Sequence, residues 1–286
     1  MESAAAAISS EQRLMAERFL ALHRIGTPFI LANCWDMVMA RLFARDGFQA
    51  IGTSSYALSA ILGLQDGQHI DLQNTVDLVR ALVKQVPLPV SADIEAGYAE
   101  TIEGVVESAR QVLLAGAVGI NIEDSSKRDQ GTLHEIAFQC EKIHAIREMA
   151  QGAGVHLVIN ARTDVFLLAA ENPIVRLKRG IERGRAYVEA GADCVFVPDM
   201  GDLDAIGMKT LVEEIGAPIN ILAGGTTPPI AELAEIGIAR ISSGPRALRA
   251  ALGLYRRIGR EMLDQGTFSQ LTTEALSYEE TNQLLG

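Results

Sequence analysis

The feature that most constrains this chain is an eightfold alternation of short apolar runs with segments of helical character. The runs fall at 29–33, 49–55, 89–95, 119–123, 157–162, 194–198, 219–223 and 239–243, and a helical stretch follows each of them. Continuous apolar runs, rather than alternating ones, read as strands covered on both faces, as in a parallel sheet. The joint from helix back to strand recurs as Asp46-Gly47-Phe48, Ala115-Gly116-Ala117, Ala190-Gly191-Ala192 and Ile236-Gly237. Glycine there supplies the left-handed conformation that ends a helix. The pattern predicts an α/β fold, a single (β/α)8 TIM-type barrel over residues 1–286. A doubly wound open sheet is the alternative, but no GxGxxG fingerprint stands near the start. A helix capped by Ser10 precedes the barrel, at about 10–24. A helical, amphipathic segment at 271–285, within an extension from about 265, follows it. One barrel does not need that segment, so it is expected to pack on another subunit.

A net charge of −11 argues against nucleic acid and anionic membrane as partners, because both need a basic face. No apolar stretch reaches the roughly 18 residues of a membrane span. Cys34, Cys140 and Cys194 form no CxxC pair, and their odd number with no evident secretory leader suggests a reducing cytoplasm.

In a parallel barrel the site is built from the C-terminal ends of the strands. Strand three ends in Ser91-Ala-Asp93-Ile-Glu95-Ala-Gly97-Tyr98. On a strand, residues i and i+2 face the same way, so Asp93 and Glu95 are expected to point together. Two like charges held close need a cation, or one of them keeps a proton. Two readings are open at this point: a Mg²⁺ site, or two solvated strand-end carboxylates. The other strand ends add Asn33 and Asp36, then Thr53, Ser54, Ser55 and Tyr56, then Asn121, Glu123 and Asp124, then Asn160, Arg162 and Asp164. The convergence of carboxylates from strands three to five favours the metal. Asn33, Asp36 and Asp164 also suit helix or turn caps. Arg162 suits either a structural ion pair or a two-pronged grip on a substrate carboxylate. The Gly224-Gly225 and Ser243-Gly244 loops stand where many barrels bind phosphate, but the prolines 228, 229 and 245 argue for tight turns instead.

These blocks resemble a known family. Asn33-Cys-Trp-Asp36, Gly52-Thr-Ser-Ser55, Gly63-Leu-Gln-Asp66-Gly67, the strand-three motif, Gly119-Ile-Asn-Ile-Glu123-Asp124 and Asn160-Ala-Arg162-Thr-Asp164 occur in the order found in the isocitrate lyase/phosphoenolpyruvate mutase superfamily. The resemblance runs from about residue 20 to 255. It implies a (β/α)8 barrel whose eighth helix is swapped with a neighbouring subunit, commonly in a homotetramer built as a dimer of dimers. It also implies Mg²⁺, which Mn²⁺ can replace, and a small-molecule oxo-acid substrate. By the same resemblance Asp93 matches the direct metal ligand. Asp66, Glu95 and Glu123 match the carboxylates that hold its waters, with Glu95 replacing the more frequent Asp. Ser54 and Ser55, with Thr53 beside them, match the turn that holds the substrate. Arg162 matches the arginine that holds its anionic far end or leaving group, and Asn160 is a further candidate for substrate binding.

The segment after Glu123 lacks the Cys and His of isocitrate and methylisocitrate lyases, which sets those activities aside. It is also short beside the gating loops of the phosphomutases, and Lys127 is its only candidate for their lysine. The expected chemistry joins Arg162, Glu123 and Lys127 as catalytic groups. The expected activity is Mg²⁺-dependent cleavage of a C–C bond in a small 2-oxo or hydroxy di- or tricarboxylate through an enolate. Oxaloacetate and methylated malate-type acids are the substrate class. P–C bond chemistry on phosphonopyruvate is one alternative, and a non-catalytic oxo-acid binding protein is another.

Overall fold

The computed structural model describes residues 8–67, 69–126, 132–168, 171–198 and 203–286. Eight parallel strands close into a barrel: β1 (Phe29–Asn33), β2 (Ile51–Gly52), β3 (Val90–Asp93), β4 (Gly119–Glu123), β7 (Val158–Arg162), β8 (Cys194–Val197), β9 (Ile219–Leu222) and β10 (Arg240–Ser242), which returns to β1. Two further strands among the described residues, β5 (Ser125–Ser126) and β6 (Thr132–Leu133), pair antiparallel apart from the barrel. The barrel and the eight strands are those the sequence predicts. The register aligns polar residues in rows across neighbouring strands: Asp93 with Asn121, Asn121 with Asn160, and Glu123 with Arg162. Side chains on one rim are therefore neighbours although they are distant in sequence.

The floor of the barrel, at the strands' N-terminal ends, is closed by α1 (Ser10–Leu22). The N-cap of that helix is Ser9, whose hydroxyl accepts from Gln12 N–H at 3.1 Å, one residue earlier than the sequence suggests. Phe19 is fully buried and stacks edge-to-face with His23 and Phe29. A Cβ at Gly119 would lie 2.5 Å from the Phe19 ring, so glycine is what lets α1 approach this closely. The side chain of Gln12 ties the helix to the barrel by donating to the carbonyls of Leu113 and Ala117.

The chain ends differently from the expectation. Helix α11 (Arg246–Asp264) packs mainly on the short α12 (Ser269–Thr272) and leaves Leu252, Leu254, Tyr255, Met262 and Leu263 exposed. Helix α13 (Tyr278–Leu285), which the sequence suggests for a neighbouring subunit, instead returns to its own α2 (Met37–Arg45). There Leu284 is buried, and Arg41 donates to the carbonyls of Leu284 and Leu285. The reason is local: α2 offers both an apolar surface and a guanidinium to the orphan carbonyls of the last turn. No helix among the described residues is long and apolar enough to cross a membrane.

Candidate active site

The rim above β1–β4 and β7 encloses a cavity of about 140 Å³. Asp66, Asp93, Asn121, Arg162, Ser54 and Ser55 lie on its wall, together with Tyr56, Phe196 and Ser242. Asp93 is held by three neighbours. Its Oδ2 accepts the Ser55 N–H at 2.9 Å, and its Oδ1 accepts the Glu95 N–H at 3.3 Å. Its own N–H donates to Thr53 Oγ1 at 2.8 Å.

Strand two is shorter than the predicted run 49–55. A new helix, α3 (Ser55–Ile61), starts where the run was expected to end, and Ser54 caps it by accepting from Ala57 N–H. The helix start is why the Ser55 N–H is available to Asp93: the first N–H groups of a helix have no partner within it. The hydroxyl of Ser54 and the N–H of Ser55 are thus already engaged within the chain.

The paired-strand argument for Asp93 and Glu95 fails in its geometry. β3 ends at Asp93, and Glu95 has φ of 50°, in the left-handed region. Alternation does not continue through such a residue. Glu95 is fully buried in the turn, whereas Asp93 is partly exposed. The Glu95 carbonyl accepts from Glu123 N–H at 2.9 Å, which joins the two strand ends. Tyr98, also left-handed at φ 57°, packs beside them and shares a 2.9 Å hydrogen bond with Thr75. Burial, and then the charges of Glu95, Asp93 and Glu123, push its phenol above the ordinary tyrosine range, so three carboxylates act on this one hydroxyl.

Arg162 is the cation of the cluster. Its Nη1 is 3.0 Å from Glu123 Oε2, and its Nε donates to Asp164 Oδ1 at 2.6 Å. Burial opposes its charge, but Glu123, Asp164 and Asp93 together hold it above the ordinary arginine value. Its guanidinium also faces the Phe196 ring, 5.9 Å from the centroid. Asp164 is fixed in turn by the hydroxyl of Ser125. Asp124 belongs elsewhere, accepting from Tyr187 at 2.6 Å and Arg183 at 3.0 Å, behind the rim. Asp36 caps α2 through Met39 N–H. Asn33 clamps the seam of the barrel, donating to Thr53 O and accepting from Gly244 N–H, both at 2.7 Å.

Four of the expected site residues do not reach the cavity wall. Thr53 is buried under Asp93, and Glu95 and Glu123 are buried around it. Asn160 lies deeper and donates to Asn121 Oδ1 at 2.7 Å. Lys127 lies outside the described residues. One buried group was not foreseen. Lys142, on α6 (Ile136–Gly152), lies 3.4 Å from the carbonyls of both Ala96 and Glu123, and so braces the ends of the two acidic segments. Burial lowers its pKa to about 8, against the pull of Asp124 and Glu123. The available signal was a lysine within the stripe Gln139, Ile143, Ile146 and Ala150 that faces the core.

Among the described residues no three Asp, Glu, His or Cys side chains converge closely enough to ligate one ion directly. The donor set still suits a hard ion that keeps its waters: one aimed carboxylate, Asp93, with further carboxylates a layer away. Arg162 pairs with Glu123 and Asp164 and feels the charge of Asp93, and Lys142 lies behind the same acidic segments.

Residues 19–263 match the phosphoenolpyruvate phosphomutase family. The chain belongs to that family. It is thereby an enzyme of the isocitrate lyase/phosphoenolpyruvate mutase superfamily, whose members act on C–C or P–C bonds. It is 37% identical over 240 residues to an uncharacterized protein of Mycobacterium tuberculosis, covering 83% of this chain and 84% of that one. It is 29% identical over 266 residues to the 2-methylisocitrate lyase of Halalkalibacterium halodurans, covering 90% and 84%. A Burkholderia cenocepacia J2315 structure to which a lyase or mutase role is ascribed superposes with TM-score 0.89 at 35% identity, covering 97% and 98%. A phosphonopyruvate hydrolase solved with oxalate and Mg²⁺ shares the fold at TM-score 0.80 and 23% identity, covering 98% and 95%.

Proposed function

We propose that this member of the family is a Mg²⁺-dependent lyase that cleaves a C–C bond of a small 2-oxo or hydroxy di- or tricarboxylate. The observation that carries the reading is the setting of Asp93. Its carboxylate stands at the cavity wall with each oxygen steadied by one backbone N–H, and further carboxylates lie around it. Asp93 would hold the ion directly, and Asp66, Glu95 and Glu123 would hold its waters. When bound, Mg²⁺ supplies Lewis-acid stabilisation of negative charge on the oxo oxygen. The oxalate and Mg²⁺ held by the phosphonopyruvate hydrolase structure support this reading.

The chain's own residues supply orientation. Asp164 fixes the plane of Arg162, and Glu123 fixes its far edge, so the guanidinium presents one direction to the cavity. A substrate carboxylate or leaving group meets a donor that needs no reorganisation. Phe196, Leu222 and Pro245 add apolar surface to the same wall. Purified protein supplied with oxaloacetate and methylated malate-type acids should turn over one of them with Mg²⁺ and lose that activity in EDTA. Turnover indifferent to EDTA would sink the proposal.

The swap of the eighth helix belongs to the same reading. Ile30 points outward from β1 yet is 38% exposed, beside a surface groove that includes Phe48 and Ile230. Among the described residues, the apolar face of α11 has no comparable cover in its own chain. In a homotetramer built as a dimer of dimers, α11 of one subunit would cover the groove of another. Light scattering tests this, and a Leu252→Asp/Tyr255→Asp variant with undiminished mass would count against it.

A further inference from the structure

One amide on the cavity wall is fixed at one end and free at the other. Asn121 lies on β4 beside Asp93, its register partner on β3, and both line the cavity. The Asn121 oxygen, Oδ1, accepts from Asn160 Nδ2 at 2.7 Å and from Arg240 Nη2 at 3.2 Å. Both donors belong to fully buried side chains inside the barrel. Arginine offers donors alone, so the atom that meets Arg240 is the carbonyl oxygen and the amide cannot be turned over. Burial lowers the Arg240 pKa to about 10, so at neutral pH the guanidinium keeps its charge and its hold on that oxygen.

The other end of the amide is Nδ2. Among the described residues it finds no acceptor, and it is not sealed from the cavity. Its neighbours on the wall are engaged. Each Asp93 oxygen accepts one backbone N–H, the Ser54 hydroxyl caps α3, and Arg162 Nε and Nη1 meet Asp164 and Glu123. Asn121 stands one strand spacing, about 4.8 Å, from Asp93. The atom of an asparagine that ligates a hard cation is its oxygen, and here that oxygen is occupied by Asn160 and Arg240. Asn121 is therefore not a ligand for an ion at Asp93. Its NH2 gives hydrogen bonds and takes none, which suits an oxygen of an anionic ligand.

We propose that Asn121 is a substrate-contacting residue of this site, donating from Nδ2 to an oxygen of the oxo acid held at Asp93. Arg240 and Asn160 fix the direction of that donor from inside the barrel. The inference rests on the oxo-acid reading of the cavity and deepens it. The ligand is read by a neutral donor on β4 as well as by Arg162 on β7.

A crystal structure of the full-length protein with Mg²⁺ and oxalate tests the contact directly. An oxalate oxygen should lie about 3 Å from Asn121 Nδ2. Calorimetric titration of oxalate in Mg²⁺ buffer tests its weight. Asn121→Leu removes the donor at similar volume and adds no charge. It should raise the oxalate Kd at least about tenfold, the scale of one hydrogen bond to a charged acceptor. Its Tm should fall as well, because Arg240 and Asn160 lose their acceptor, so binding is read well below the unfolding transition. Asn121→Asp keeps that acceptor and should fold even where the leucine variant does not. Its oxalate Kd should rise by at least the same factor, since an anionic oxygen replaces the donor. Oxalate bound at Asp93 with Nδ2 out of hydrogen-bond reach, or an unchanged oxalate Kd in either folded variant, would overturn the inference and leave the reading of the cavity standing. Failure of oxalate to bind the Mg²⁺-loaded wild type would overturn that reading, and the inference with it.

Discussion

The two ends of the barrel use the same strands for opposite purposes. At the floor, Phe19, His23 and Phe29 close the barrel edge-to-face, and Arg240 lies over the Phe19 ring at 5.7 Å. At the mouth, Glu123 and Asp164 hold Arg162, Asp93 stands beside it, and a cavity stays open. The floor removes apolar area from water. The mouth gathers charged and hydrogen-bonding side chains around an open cavity. Stability and chemistry are therefore separable along the barrel axis, as is general for this architecture. Substitutions at the two ends should move different observables.

The largest effect is expected at the mouth. Asp93→Ala should lower kcat/KM by about 10³-fold or more, the scale of losing an electrostatic stabiliser of the reacting group. Its Tm should stay near that of wild type, because Asp93 is a partly exposed rim residue. A matching fall in Tm would blur the division. At the floor, Phe19→Ala should cost about 3–5 kcal/mol of stability in denaturant unfolding, for a fully buried ring with a cavity left behind. Its oxalate affinity should be unchanged.

The floor also carries a pH signature. Burial, and then the Arg240 charge, lower the pKa of His23 from 6.5 to about 3. The folded state holds this ring neutral, while the unfolded chain takes up a proton near 6.5. The contribution is fully present above that pH and is lost as pH falls toward 3, by up to about 4 kcal/mol. Unfolding across this window should show the loss in wild type and a flatter profile in His23→Gln. The smallest effect returns to the mouth. Asp164→Asn keeps the shape but weakens the hold on Arg162 Nε, and should lower kcat by about tenfold with little change in oxalate binding.

The barrel was legible in the sequence because eight short, largely apolar runs alternate with helical segments, and a glycine joint precedes four of them. The rim residues were legible because the barrel rule assigns chemistry to strand ends. What the sequence hid were departures from regular geometry. Glu95 looks like a strand residue at i+2 from Asp93, but its left-handed backbone takes it into a buried turn. Asp124 looks like a third acid of the site, but Tyr187 and Arg183, about sixty positions on, draw it behind the rim. The β5–β6 hairpin has two residues a side, too few for any period to register. The side chain of Lys142 acts on two carbonyls distant in sequence, and spacing carries no trace of such a bond.

The most direct test of the central claim is calorimetric titration of oxalate into wild type and Asp93→Ala, each with Mg²⁺ and with EDTA. Oxalate should bind only to wild type, and only with Mg²⁺. Equal binding in EDTA, or undiminished binding to Asp93→Ala, would contradict the assignment of this rim as a metal-dependent oxo-acid site.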